Sequence, residues 1–229
     1  MISRMSAKAI AFAALLRRVV ARVSGRRSNP RAVALARQVG AIAPWDRQEA
    51  GHVAEVLAWI GSGAPLYRTR KPDIPDPHLV SYFVGLSPRE ELLLVAHRAA
   101  GLWLPSGGHV EPGEDPWETV VRECAEELHL PAVAHPRFGE RPFFVTVTRT
   151  RGEGPHTDVS LWYVLDIDQV TTFDQAEFTG IRWVTPPRLL EEPIERLDPH
   201  LHRFTRKLMA ALTPSDPVRP PSAPHSPHP

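Results

Sequence analysis

The chain has little of what would set it apart from an ordinary folded protein. It holds one cysteine, Cys124, so no intramolecular disulfide can form and a reducing compartment such as the cytoplasm is expected. No apolar run approaches the roughly 20 residues of a membrane-spanning helix, so no transmembrane segment is expected. Its 27 basic and 26 acidic residues leave a net charge of +1, which gives no general electrostatic reason to expect a nucleic-acid partner. Acidic residues are also missing locally. None precedes Asp46, whereas Arg4, Lys8, Arg17, Arg18, Arg22, Arg26, Arg27, Arg31 and Arg37 all do, so the rest of the chain is net acidic. What is present suffices for a packed core: 42% of the 229 residues are hydrophobic and 23% are charged, and one principal domain is expected.

Residues 1–44 read as a basic leader, helical in part. Phe12, Leu15, Leu16, Val19, Val20 and Val23 recur at helical spacing, with Arg17, Arg18 and Arg22 on the remaining surface. Such a segment is a membrane-surface anchor, a targeting leader or a loosely ordered extension, and a nucleic-acid or membrane role for it can coexist with catalysis elsewhere. Residues 45–77 read as a helix and a proline-rich connector. Asp46 caps the helix with Glu49 three residues on, Val53, Val56, Leu57 and Ile60 share a face, and Gly61 or Gly63 ends it.

From His78 the pattern changes to short apolar runs: LVSYFVGL, ELLLVAH and GLWLP, then PFFVTVTRT, DVSLWYVLDI and GIRWV. A helix from Asp115 to Leu128 interrupts them, and PHLHRFTRKLMAAL closes the segment as another. Strands around an internal helix predict a mixed α/β layer fold over residues 78–212. Residues 213–229 carry too much proline and too few apolar groups to pack, and read as a disordered tail.

The internal helix is the segment that carries chemistry. Asp115, Pro116 and Glu118 form a helix start, and Trp117, Val120, Val121, Cys124 and Leu128 are expected to form its buried stripe. That gives Cys124 a packing role rather than a nucleophilic one. Glu123, Glu126 and Glu127 then share another face within a few ångströms of one another, where they repel unless a cation arrives. A hard dication such as Mg²⁺ suits paired carboxylates, and Arg122 can orient one of them by pairing with Glu118 or Glu126. A solvated acidic face is the alternative. Upstream, LPSGGHVEPGE places a Gly-Gly turn after a strand and then a loop with Glu111 and Glu114. The glycines would let main-chain groups approach a metal or a phosphate.

Gly108, five residues, Glu114, seven residues, Arg122-Glu123-Cys124, one residue, Glu126-Glu127, one residue, His129-Leu130: this order and spacing resembles the signature box of the nudix hydrolase superfamily. Two positions depart from it. His129 stands where the family has glycine, and Cys124 where it has an aliphatic residue. Histidine is among the side chains that accept the left-handed backbone of a helix end, so neither change removes a metal ligand.

The resemblance implies a nudix α/β/α sandwich with a mixed sheet, preceded by a helical N-terminal extension. It also implies hydrolysis of a phosphoanhydride in a nucleoside diphosphate derivative or nucleoside triphosphate, with Mg²⁺ or Mn²⁺ as cofactor. Glu126 and Glu127 are the implied metal ligands, with a carbonyl of Gly107 or Gly108. Glu123 would bind metal or deprotonate the attacking water, held by Arg122, and Glu114 would support the metal shell. An acid from outside the box is also implied. Glu177 is the first choice, with Asp174 and Asp158 competing, and each also reads as an ordinary loop acid. For substrate contacts, His156 can donate to phosphate beside Asp158 and Trp162 can stack on a base, against the alternatives of a loop histidine and a core tryptophan. A nucleotide-sensing module without catalysis is the alternative function, and homodimerisation stays open.

Overall fold

In the computed structural model, residues 29–70, 74–150 and 155–213 are described, together with Ala14 and Arg17, both helical and exposed. Apart from those two residues, the helix read between Phe12 and Val23 lies outside the described residues, as do positions 151–154 and 214–229.

The elements in chain order are α1 (Pro30–Gly40), α2 (Arg47–Ser62), β1 (His78–Leu86), β2 (Leu92–His97), β3 (Leu102–Leu104), β4 (Ser106–His109), α3 (Pro116–Leu128), β5 (Phe144–Arg149), β6 (Thr157–Asp166), β7 (Phe178–Val184), α4 (Pro186–Glu191) and α5 (Leu201–Leu212). The seven strands form one mixed sheet. Its main order is β3-β2-β1-β6-β5, with β4 on β1 and β7 on β2. Strand β1 is the axis: parallel to β6 along its whole length, it pairs antiparallel with β4 through residues 80–83 and meets β2 at Leu86.

Alternation along the strands sends side chains to two cores. Leu79, Phe83, Leu161 and Tyr163 face α1, α2 and α3, whereas Val84, Phe144, Trp162 and Val164 face α4 and α5. The result is the mixed α/β layer fold that the strand and helix pattern predicts, in the α/β/α form that the resemblance implies. The N-terminal helices are part of the first layer. Helix α1 lies inside the segment read as a leader, capped by Asn29 and burying Ala32, Leu35, Ala36 and Val39. Its Gln38 donates to the Asp115 carboxylate at 3.2 Å, which joins it to the start of α3.

Helix α2 begins and ends as its sequence dictates, with Asp46 accepting from the Glu49 amide and Gly63 closing it at φ 78°. It crosses edge strand β5, and α5 meets it there. Lys207 donates to Glu49 at 2.7 Å and to the Phe143 carbonyl at 2.6 Å, with the Glu49 side chain fully buried. Burial works against both charges, raising the Glu49 pKa and lowering that of Lys207, so each depends on the other. Arg203 of α5 grips Asp46 through two hydrogen bonds, at 2.7 and 2.6 Å.

Two outcomes follow for stability. Lys207→Met leaves Glu49 buried without a countercharge and should cost about 3–5 kcal/mol, part of which Glu49→Gln added to it should restore. Urea unfolding of the two variants and the parent measures this, and a cost below about 1 kcal/mol for the single change would contradict it. The Arg203 hydrogen bonds hold the Asp46 pKa down to about 2, below its usual 3.8. A folded value below the unfolded one stabilises at higher pH, and the contribution fades as pH falls through about 4 toward 2. The stability difference between wild type and Asp46→Asn should therefore shrink across that window, and a difference independent of pH would contradict the bridge.

Candidate active site

Strand β4, the loop after it and α3 build the site. Gly107 and Gly108 lie within β4, opposite Tyr82 and Ser81 of β1, rather than in a turn after a strand. The backbone is the reason. Gly107 has φ 138°, and a Cβ there would sit 2.1 Å from the Ser81 carbonyl oxygen, so only glycine can keep β4 against β1. A Cβ on Gly108 would sit 2.1 Å from Glu123 Oε1, so the missing side chain leaves room for a carboxylate.

Asp115 caps α3 and forms a reciprocal capping box with Glu118. Ser81 donates to the Pro116 carbonyl at 2.8 Å and fixes the helix start to the sheet. At the far end His129 adopts the left-handed conformation at φ 54°, doing the work of the usual glycine. Cys124 is buried, and burial pushes its thiol pKa up to about 12, which makes it a packing residue. The expected stripe needs one correction. Val121 is 43% exposed, whereas Thr119 and Glu127 belong to the buried side with Pro116, Val120, Cys124 and Leu128. The helix rolls Glu127 toward β4, where Ser106 Oγ and the Gly107 amide both donate to its Oε2, the latter at 3.0 Å.

Arg122 organises the remaining acids. Its guanidinium reaches Glu114 at 3.0 and 3.1 Å, Glu123 at 2.7 Å, Glu126 at 3.4 Å and the His109 carbonyl at 3.2 Å. Glu118, expected as a partner, is used in the capping box instead. Hydrogen bonding to Glu114 raises the Arg122 pKa further, so its charge is permanent. Burial works against the Glu114 carboxylate, but donors from Arg122 and Thr119 outweigh it and its pKa falls.

The other carboxylates are under opposite stress. Burial raises the Glu123 pKa, and the charges of Glu126 and Glu177 add to the rise. Burial also pushes Glu127 up to about 8, with Glu123 and Glu177 adding to it against the donors from Ser106 and Gly107. Glu126 is the exposed member of the set, its side chain 61% accessible. These hard oxygens, one set held by Arg122 and another by β4, gain from any cation placed among them.

Residues from outside the box divide. Glu177 is close enough for its charge to act on both Glu123 and Glu127. Asp174 instead makes a local turn, accepting from the Ala176 amide at 2.7 Å, while its own amide donates to the Glu127 carbonyl at 2.8 Å. Asp158 and His156 lie together, 3.2 Å apart, among further histidines. Trp162 is fully buried, stacked on Phe204 with ring centroids 5.2 Å apart and donating to Thr146. Its ring is therefore core and offers no open face to a base. Ser106, Thr119 and Ser81 were not singled out by the sequence. Ser81 and Ser106 act on distant parts of the chain and Thr119 on the loop before its own helix, and small hydroxyl residues carry no spacing signal of their own.

A match to the NUDIX domain family spans residues 76–208. The CTP pyrophosphohydrolase of Escherichia coli (strain K12) is 28% identical over 144 residues, covering 60% of this chain and 98% of that protein. The asymmetrical bis(5'-nucleosyl)-tetraphosphatase of Caenorhabditis elegans is 46% identical over 41 residues, 18% of this chain and 30% of its own. Among solved structures, a NUDIX-family hydrolase from Clostridium perfringens is 19% identical with a TM-score of 0.47, covering 58% of this chain and 97% of that one. With the family match spanning more than half of its length and every glutamate of the box in place, the chain belongs to the NUDIX domain family, as a nudix pyrophosphohydrolase.

Proposed function

We propose that the protein hydrolyses a phosphoanhydride bond in a nucleoside triphosphate or a nucleoside diphosphate derivative, with Mg²⁺ or Mn²⁺ held by the box carboxylates. The observation that carries this reading is the stressed set of Glu123 and Glu127 beside Glu177, with Glu126 open to solvent. The residues fit a hard dication. Both donors to Glu127 use Oε2, so Oε1 is the oxygen it offers a cation. Glu126 supplies a second carboxylate from the exposed side, Gly107 or Gly108 a main-chain carbonyl, and Glu114 and Glu177 further acidic groups at the margin.

When bound, such a cation neutralises charge developing on phosphate oxygens and acidifies water near it. The chain's own residues do the rest. Arg122 holds Glu123 at 2.7 Å and restricts its carboxylate to one orientation, so Glu123 can take a proton from the attacking water. Its raised pKa suits a base that must accept a proton and later release it. Gly108 keeps the space in front of Glu123 open. The relatives' activities, on CTP in one case and on a bis(5'-nucleosyl) tetraphosphate in the other, support a nucleotide as the small-molecule substrate. The single buried cysteine fits action in the cytoplasm.

A panel of nucleoside triphosphates, dinucleoside polyphosphates and nucleoside diphosphate derivatives, assayed for phosphate or pyrophosphate release with Mg²⁺ and with EDTA, tests the reading. Cleavage should require the cation. Glu126→Gln and Glu127→Gln should nearly abolish it, and Glu123→Gln should lower kcat by roughly 100-fold or more with a smaller change in KM. Full activity in Glu127→Gln would remove the site. Binding of nucleotides by folded wild-type protein without cleavage across the panel would make it a sensor instead of an enzyme. Gly108→Ala should also lose most activity while keeping its fold, because the new methyl group displaces Glu123. Unchanged kcat/KM in that variant would show that Glu123 needs no such space.

A further inference from the structure

One group of side chains is not used by the nudix chemistry. His78, His109, His156 and Asp158 bring four metal-ligating atoms within 4.8 Å of one another, the one such group of histidine, cysteine and acid found among the described residues. They are far apart in the sequence and meet only through the sheet. His78 opens β1 and is in register with Asp158 of β6, His109 ends β4 opposite Val80, and His156 immediately precedes β6.

Sheet alternation separates this group from the glutamates. Gly108 points its missing Cβ at Glu123, so its neighbour His109 projects from the opposite face. His78 and Asp158 lie on that same face, in step with Tyr82, Val84 and Trp162, which pack toward α5. The carboxylate site and the histidine group therefore sit back to back across β4.

The outer contacts orient two of the rings. His78 Nδ1 lies 2.7 Å from the Pro75 carbonyl, which can only accept, so that nitrogen carries the hydrogen. The His156 amide donates to the Thr150 hydroxyl at 3.0 Å, and that hydroxyl lies 3.2 Å from His156 Nδ1 and holds the ring in place. In both rings Nε2 then faces Asp158 Oδ1, at 3.4 and 3.2 Å. With Nδ1 protonated, neutral His78 turns its Nε2 lone pair toward that carboxylate oxygen, an arrangement that a cation between them favours. A histidine bound at one nitrogen to an acceptor and aimed by the other at a shared centre is the arrangement of a metal-ligating imidazole with its outer support.

We propose that His78, His109, His156 and Asp158 form a second metal centre, a four-ligand site for a Zn²⁺-class transition-metal dication, distinct from the carboxylate site on α3. Three nitrogens and one oxygen suit such an ion and disfavour Mg²⁺, which takes oxygen ligands. The spacing is suitable as well. Tetrahedral bonds of about 2.0–2.1 Å put neighbouring ligand atoms about 3.3 Å apart, near the 3.4 and 3.2 Å already present. Binding would clamp the ends of β1, β4 and β6, and with them the strand that carries Gly107 and Gly108.

Cobalt titration of the full chain, after chelator treatment, tests this. Wild type and Glu127→Gln should each take up one Co²⁺ with the intense visible bands of a tetrahedral site, displaced by Zn²⁺ and not by excess Mg²⁺. His109→Ala and His156→Ala, checked for native circular dichroism, should lose those bands, with affinity falling beyond the ~100-fold that loss of an outer-shell partner alone can produce. Absence of the bands in wild type, their persistence in both histidine variants, or their loss in Glu127→Gln would overturn the proposal. If either variant fails to fold, proton NMR of the wild-type cobalt form decides. Three paramagnetically shifted imidazole N–H signals support the centre, and fewer than three overturn it.

Discussion

The repulsion among the carboxylates of α3 is the constraint around which this structure is arranged. Glu123 and Glu127 are half-buried and buried respectively, each raised in pKa by burial and by its acidic neighbours. Arg122 makes the arrangement tolerable by spreading one permanent charge over Glu114, Glu123 and Glu126. The β4 strand does the same for Glu127 with neutral donors, Ser106 and the Gly107 amide. Neither device cancels the negative charge. What is left is a set of oriented oxygens poised for a cation, and orientation before binding is what makes electrostatic catalysis efficient.

The scaffold supplies rigidity to that arrangement from both sides. Helix α3 is tied to β1 through Ser81, to α1 through Gln38 and to β4 through Glu127. On the other flank α2 and α5 cover edge strand β5 and are locked together by Glu49–Lys207 and Asp46–Arg203. The N-terminal helices are thus built into the core layer beside α3. Sheet alternation then lets β4 present Gly108 to the glutamates and His109 to the histidines, so two chemistries share one strand without sharing a face.

Local rules made much of this legible. The capping box at Asp115 and Glu118, the Asp46 cap, the left-handed His129 and the buried Cys124 all follow from short-range chemistry, and the structure carries each of them. Apart from β4, whose glycines read as a turn, the strands from His78 onward follow from apolar runs, to within a residue or two at their ends. What local rules cannot give is rotation and distance. Val121 and Glu127 exchange the burial expected of them because α3 rolls toward β4, a tertiary choice. Arg122 takes Glu114, eight residues away through a loop, rather than Glu118 on its own helix. Trp162 reads as core before it reads as a stacking platform, and Phe204 against it decides for core. Positions 78, 109, 156 and 158 have no spacing to betray them, since only the pairing of β1 with β4 and β6 brings them together.

In the proposed mechanism the α3 carboxylates hold the dication. Electron paramagnetic resonance of Mn²⁺ added to the nucleotide-free protein tests it most directly. Wild type should bind Mn²⁺ saturably, with displacement by Mg²⁺ and strong weakening in Glu127→Gln. Equal Mg²⁺-sensitive binding by wild type and the variant would contradict it, because the cation would then be held somewhere other than this crowded face.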